Sequence, residues 1–331
     1  MKKVSVIVVA EKFNLYLEEC LRHLTEVNYP DLEILVFPTQ SFECPHPKVK
    51  IIAAPKLGNR PAEKRDLALK HARGEILAFI DDDAYPSLGW LKRAVRHFKD
   101  ERVAAVGGPG ITPPGVSVRE KAAGWVSASL LGGGGTTYRF LPQKPREVDD
   151  YPSMNLLVRR SDFEKIGGFD SHYWPGEDTK LCLDLTKKLG KKIIYDPEVL
   201  VFHHRRPLFG PFLKQNGRYG LHRGYFAKVL PDTSRRLGYF IPSLFTLFFF
   251  LTPLLIGLSY RFLPSAWLWL LRFYLIINTF YLILLLVTAG WVFNEERDEK
   301  VALLTIPGIF LTHLWYGLQF IRGLLSSRLK R

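Results

Sequence analysis

The chain has 331 residues, enough for one large domain or for a domain with an appendage. It carries a formal net charge of +14, yet 47% of its residues are hydrophobic, and these crowd into roughly the last hundred positions. Positive charge beside apolar runs, with no aromatic platform, points to a membrane surface or anionic substrates and argues against a nucleic-acid partner. Cys20, Cys44 and Cys182 are odd in number and lack metal-ligand spacing, which predicts free thiols in a reduced compartment.

In chain order, residues 4–9 read as a buried strand. The N-terminus has the look of a short signal peptide, but its apolar run of about six residues falls short of the usual roughly 7–15. Phe13, Leu17, Cys20, Leu21 and Leu24 have helical spacing, and strands are expected at 33–37 and 49–53. Residues 61–72 predict a helix with Pro61 at its start and Gly74 just past its end. Ile76 to Ile80 are all apolar, the mark of a strand buried on both faces. Asp81, Asp82 and Asp83 follow at once, at the strand end where open α/β sheets place ligands, and Pro86 bars a helix from starting there. Three adjacent anions repel one another. A hard divalent cation, Mg²⁺ or Mn²⁺, held by one or two carboxylates plus substrate phosphates, accounts for them. For the triplet alone, a solvated acidic turn is the plainer alternative.

A further helix at 90–98 and a strand at 103–106 complete an alternation that predicts a mostly parallel α/β sheet in three layers. From 107 to 152 the pattern dissolves into Gly, Pro and Thr, and the glycines at 132–135 are expected outside regular elements. Strand character returns at 154–158. A short helix at 161–166 is expected to be capped by Ser161 and stopped by Gly167 and Gly168. Glu177 and Asp178 open a helix to about Leu189 with Gly190 as its cap, and strands are expected at 191–195 and 199–203.

Residues 207–230 mix aromatics and Leu with Lys214, Arg218, His222, Arg223 and Lys228, a composition suited to a membrane interface or to a soluble connecting helix. Residues 239–260 and 273–293 hold no charge, and 301–321 hold none beyond His313. Each run is long enough to cross a hydrocarbon core of about 30 Å, which takes roughly 20 residues. Arg235 and Arg236 precede the first run and place the α/β domain in the cytoplasm, while Arg272 is expected to snorkel to an interface. Three full crossings would put the basic tail at 326–331 outside, against its charge. Either one segment is re-entrant or the count is not three. The expected division is a catalytic domain at 1–206, a basic interfacial segment at 207–236, a membrane region at 237–325 and the tail.

Five motifs in this order resemble a family 2 glycosyltransferase of the GT-A fold, a Rossmann-like mostly parallel sheet with helices on both faces. They are Ser5-Val-Ile-Val-Val9, Ala62-Glu-Lys-Arg-Asp66, Gly74 with Asp81-Asp-Asp-Ala-Tyr-Pro86, Met154-Asn-Leu-Leu-Val-Arg-Arg-Ser161 with Gly167-Gly-Phe-Asp170, and Trp174-Pro-Gly-Glu-Asp178. The resemblance covers roughly residues 4–205, and the apolar tail is similar to that of membrane-anchored members that build surface glycans or lipid-linked sugars.

The resemblance implies transfer of a sugar from a nucleotide-diphospho-sugar with inversion, aided by Mn²⁺ or Mg²⁺. Asp83 would be the main metal ligand, Asp81 would contact the ribose or share the metal, and Asp82 would support them. Asp178 would be the base beside Glu177, although a carboxylate pair at a helix start also complements the helix dipole. His203 would contact metal or diphosphate, or is a structural histidine. Ala10, Glu11, Arg65, Asp66 and Asn155 would help hold the donor, with Arg205 near phosphate or lipid headgroups. Gln215, Arg218 and Tyr219 resemble the Gln-x-x-Arg-Trp acceptor motif of processive synthases, with Tyr in place of Trp. The chain departs from the family at 10–13 and 37–40, which leaves the nucleotide open. The acceptor is expected to be lipid-linked or a nascent glycan at the cytoplasmic face of the cell membrane. Alternatives are a polyprenyl-phosphate glycosyl synthase, a processive polysaccharide synthase, or an inactive scaffold.

Overall fold

The computed structural model describes residues 2–263 and 266–329; of the basic tail expected at 326–331, positions 330 and 331 lie outside the described residues. The first elements are β1 (Val4–Ala10), α1 (Leu15–Glu26), β2 (Leu32–Pro38), β3 (Val49–Ile51), α2 (Pro61–Asp66) and α3 (Ala68–His71). Next come β4 (Ile76–Asp81), β5 (Ala84–Pro86), α4 (Trp90–Val95), β6 (Val103–Gly107), β7 (Gly110–Ile111), α5 (Val118–Ala128) and α6 (Leu130–Gly133). They are followed by β8 (Arg146–Val148), β9 (Asn155–Arg159), α7 (Arg160–Ile166), α8 (Glu177–Leu183), β10 (Lys192–Tyr195) and β11 (Val201–His203). The chain closes with α9 (Gly210–Val229), α10 (Pro231–Ser234), α11 (Leu237–Phe262), α12 (Trp267–Glu296) and α13 (Glu299–Leu325). These elements form two compact units, residues 1–113 with 138–204, and 114–137 with 205–331.

The first unit is an eight-stranded sheet in the order β3-β2-β1-β4-β9-β6-β10-β8. β1, β2, β3 and β4 pair in parallel, as do β6 and β10, while β9 and β8 run antiparallel to their neighbours. Alternate side chains build two cores. Val4, Val6 and Val8 pack with Leu17, Leu21 and Leu24 of α1 on one face; Ile7 and Val9 pack with Phe79 and Phe163 on the other. β4 follows the same rule, with Ile76, Ala78 and Ile80 on the first face and Leu77 and Phe79 on the second. Burial of each such large apolar side chain contributes about 1.5–3 kcal/mol, which anchors the strand ends that carry the site. A second sheet, β5-β11-β7, sits beyond the end of β4.

Four sequence expectations are corrected. The stretch 107–152 holds a real helix, α5, whose N-cap Ser117 accepts from Glu120 N. Its buried residues are mainly Ala122, Ala123, Gly124, Val126 and Ala128, too small to print an apolar period. Gly132 and Gly133 lie inside the helical turn α6, where Ser129 Oγ caps Gly132 N at 3.2 Å. α7 begins at Arg160, so Ser161 lies within it rather than capping it, and Gly167 ends it in the left-handed region at φ 84°. α8 passes into a π-helical turn, Asp184–Lys188, before Leu189.

In the second unit, α9 and α13 lie against each other through Gly217, Gly220 and Gly224, whose missing Cβ atoms leave room for Trp315, Tyr316 and Phe320. Ser243 Oγ donates to Gly317 O at 3.1 Å, and Phe240 and Phe320 rings meet at 4.8 Å, so the start of α11 adjoins the end of α13. Tyr281 of α12 and Leu131 O bracket His313 at 2.8 and 3.0 Å. Glu296 pairs with Lys121 and accepts from Trp125 Nε1, which fixes α5 to the end of α12. Residues 114–137 therefore belong with the helical unit, although composition groups them with the sheet. α11, α12 and α13 are long and apolar enough to cross a membrane.

Candidate active site

β4 delivers Asp81 at its last position, and the chain turns through Asp82 and Asp83 into β5. Strand β11 pairs antiparallel with β5 and sets His203 opposite Ala84. Two bonds then tie β11 to the turn: His204 N donates to Asp83 O at 2.9 Å, and His203 Nε2 to Asp83 Oδ1 at 3.1 Å. Asp81, Asp83 and His203 offer ligand atoms that all lie within 4.8 Å of one another. Two hard carboxylates and one imidazole, half-buried, form a donor set suited to a divalent cation. The geometry therefore brings His203 to an aspartate pair that the sequence places 120 positions earlier, counted from Asp83.

Arg65, buried on α2, joins this corner to the second acidic segment. Its Nη2 donates to Asp81 Oδ1 and its Nη1 to Glu177 Oε1, both at 2.9 Å. Burial works to lower the Arg65 pKa, but Asp81, Glu177 and Asp178 outweigh it and hold the guanidinium above its ordinary value. The fork of Arg suits this task, because it reaches two carboxylates from one rigid plane. Phe169 packs beneath it, 5.6 Å from ring centroid to guanidinium carbon. Glu177 is 5% exposed, and its other oxygen accepts from Gly176 N at 2.9 Å. Asp178, at the first turn of α8, is half-buried and accepts from Thr179 N at 2.8 Å. Glu177 thus holds the helix start in place, and Asp178 stands beside it.

Asp66, next along α2, accepts from Phe169 N at 2.8 Å. Gly168, at φ 84°, passes so close that a Cβ there would meet Asp66 Oδ1 at 2.5 Å. Asp66 therefore pins the Gly167-Gly-Phe-Asp170 loop under Arg65 rather than facing open space. Burial is the main force pushing its pKa up, to about 7.

The edge expected to frame the nucleotide is built by a residue that the motif reading passed over. Buried Lys64 donates to Ala10 O at 2.8 Å and to Thr39 Oγ1 at 2.6 Å. Burial lowers its pKa, with Glu11 and Asp82 acting in the opposite direction. Thr39 N and Gln40 N donate back to Ala10 and Glu11 carbonyls, so the ends of β1 and β2 form one ledge. The signal for Lys64 was its place in the Ala62-Glu-Lys-Arg-Asp66 motif, a charged residue on the inward face of a short helix.

Other expected site residues have contacts of their own. Asn155 is fully buried, donates to Gly108 O and Val199 O at 2.6 and 2.7 Å, and accepts from Trp90 Nε1 at 2.8 Å. Its amide ties four segments together, so these bonds serve the core beside the end of β4. Arg205, Gln215, Arg218 and Tyr219 belong to the helical unit. There Arg205 N donates to Glu120 Oε1 at 3.0 Å, Arg218 lines a cleft between α9 and α13, and Tyr219 is half exposed.

Comparison with known proteins agrees with this layout. Residues 5–167 match the family model described as Glycosyl transferase family 2. Over 180 residues the chain is 31% identical to the pre-mycofactocin glycosyltransferase of Mycobacterium tuberculosis; the match covers 54% of this chain and only 37% of that relative's length. It is 26% identical to glycosyltransferase AglE of Haloferax volcanii over 234 residues, 66% of this chain and 71% of that protein. The solved mannosyltransferase PcManGT from Pyrobaculum calidifontis, in complex with GDP-Man and Mn²⁺, aligns with a TM-score of 0.59 at 19% identity. That alignment covers 99% of this chain and 88% of the other, and it speaks to the fold. With its mostly parallel GT-A-type sheet, the acidic cluster at the end of β4 and these likenesses, the sheet unit carries, over residues 5–167, a domain of glycosyl transferase family 2, and an apolar helical unit completes the chain.

Proposed function

We propose that this chain transfers a sugar, with inversion, from a nucleoside-diphospho-sugar to a hydroxyl group of a membrane-tethered acceptor, either lipid-linked or a growing glycan. The observation that carries this reading is the Arg65 bridge, which couples Asp81 to Glu177 and so sets a cation corner and a candidate base in one region. Asp81, Asp83 and His203 would hold a divalent cation, and their mixed oxygen and nitrogen donors suit Mn²⁺ better than Mg²⁺. Bound there, the ion would neutralise charge on the leaving diphosphate. Asp178 takes the proton from the acceptor hydroxyl while that oxygen bonds the anomeric carbon from the face opposite the diphosphate. The bond from that carbon to the diphosphate oxygen breaks with its electron pair, and the nucleoside diphosphate departs. Arg65 and Glu177 keep the two carboxylate segments at fixed separation, a positioning role. The Ala10–Thr39 ledge would receive the nucleotide.

For the membrane we infer that α11 and α12 cross as a hairpin from the cytoplasmic side, with Arg235 and Arg236 inside. The most apolar stretch of α13 is 44% buried within the protein, against 17% and 6% for α11 and α12. This contrast, with the approach of its C-terminal end to the start of α11, supports α13 lying along the interface. The basic tail then stays on the cytoplasmic side, as its charge requires.

The test is release of nucleoside diphosphate by the full chain, with GDP-mannose as the first donor, UDP-sugars beside it and lipid extracts as acceptors. Asp178→Asn is expected to lower turnover by about 10²–10⁴-fold while a Mn²⁺-induced thermal shift persists. Asp83→Asn is expected to abolish that shift. Asp178→Asn turnover within a few-fold of wild type would remove the base from the mechanism and favour a phosphate acceptor, which needs little help in losing a proton.

A further inference from the structure

Between α9 and the C-terminal half of α13 lies an open cleft of about 430 Å³. Lys214 and Arg218 line it from one helix, Trp315, Gln319 and Arg322 from the other. Among the described residues, the side chains of Lys214, Arg218 and Arg322 have no ion pair or hydrogen bond, and no acidic residue lines the cleft. Three cations facing one space without a counter-charge repel each other, as the aspartates do at the end of β4. Gln319 adds an independent sign. It is 9% exposed, yet its amide also has no hydrogen-bond partner among the described residues. Three cations and one amide that line the same open cleft without partners suit a ligand with several acceptor oxygens. Two guanidinium forks, one ammonium and one amide match a phosphate group.

The surroundings point to the source of that phosphate. Leu213 and Leu221 also line the cleft, and Trp315 is 41% exposed, so an apolar floor lies beside the charged rim. The cleft opens near the end of the unit where Phe240, just past Arg235 and Arg236, meets Phe320. Basic residues and an indole at one end of an apolar helical bundle mark the level of anionic headgroups. We propose that this cleft binds the phosphodiester headgroup of an anionic glycerophospholipid, with Arg218, Arg322 and Lys214 on the phosphate, Gln319 donating to it, and Trp315 against the glycerol and upper acyl chain. This goes beyond sugar transfer and rests only on the reading of the helical unit as membrane-embedded. It gives the unpaired cations of α9 and α13 a counter-ion and joins the two helices through a shared ligand.

The test uses the full chain in detergent and in nanodiscs of phosphatidylcholine with or without phosphatidylglycerol, read by native mass spectrometry and thermal shift. Wild-type protein is expected to retain phosphatidylglycerol and to gain stability from it but not from phosphatidylcholine. Lys214→Gln with Arg322→Gln is expected to weaken that retention about tenfold to thirtyfold, with Arg322→Lys restoring part of it. Arg272→Gln, which removes a cation from α12, serves as the folding and surface-charge control and is expected to leave retention unchanged. Equal retention in the double variant, or an equal loss with Arg272→Gln, would overturn the proposal. So would displacement of the lipid by millimolar inorganic phosphate, which would mark a site for a free anion, or preference for polyprenyl phosphate without competition from phosphatidylglycerol. Lipid retention is read without turnover, so its failure stays separate from failure of the sugar-transfer reading.

Discussion

Arg65 is the side chain on which the acidic region depends. A buried guanidinium between two carboxylates is stable only because each N–H finds its oxygen, and taking away one partner leaves charge stranded. Arg65→Gln is therefore expected to destabilise the sheet unit by about 3–5 kcal/mol, with Glu177 buried and unpaired, and a thermal melt of the purified chain checks this. Arg65→Lys keeps the charge and loses the fork. It is expected to fold, to keep Mn²⁺ affinity within a few-fold, and to turn over at least about tenfold more slowly because α8 is no longer held against Asp81. Asp81, Asp83, Glu177 and Asp178 were legible in the sequence because carboxylates at a strand end and at a helix start are local patterns. The Arg65 bridge spans 112 positions to Glu177 and left no local trace. Asn155 reads as a ligand contact because it is a polar residue inside a motif, and its three hydrogen bonds within the sheet unit have no local sequence signal.

At the scale of elements, short pairings aim the site. β11 binds β5 and turns His203 onto Asp83, and α2 holds the loop before α8 through Asp66 and Phe169 N. That second contact rests on a carboxyl whose pKa is raised by burial. The Asp66 pKa stands near 7 in the folded chain against an ordinary value of 3.8, so the folded state favours the protonated acid. The associated stability is complete below about pH 4 and is lost as pH rises towards 7, at no more than about 1.4 kcal/mol per pH unit. Melting temperatures between pH 4.5 and 8 are expected to fall more steeply for wild type than for Asp66→Asn. Parallel curves would show that Asp66 does not titrate there. The strands were readable from runs of apolar residues, since a sheet covered on both faces needs them. α5 was not, because its buried face of Ala and Gly carries no period, and its partners lie far along the chain.

For the whole molecule, a family 2 glycosyltransferase sheet unit and an apolar helical unit are each built by different physics. Alternating burial on two faces makes the first; uniform apolarity, close glycine contacts and basic ends make the second. The sequence marked the change of character near residue 205 but assigned 114–137 by position, and only packing moves that segment to the helices. α13 differs from its neighbours in burial, 44% of its most apolar stretch against 17% and 6%, and the proposed interfacial placement rests on that contrast. The central claim is that one region holds both the cation and the base. It is tested most directly by a structure of the full chain with Mn²⁺ and an unreactive donor analogue. The expected result is Mn²⁺ bound by Asp81, Asp83 and His203, with the Asp178 carboxylate facing the anomeric carbon on the side opposite the diphosphate. Mn²⁺ bound elsewhere, or Asp178 on the diphosphate side of the sugar, would contradict it.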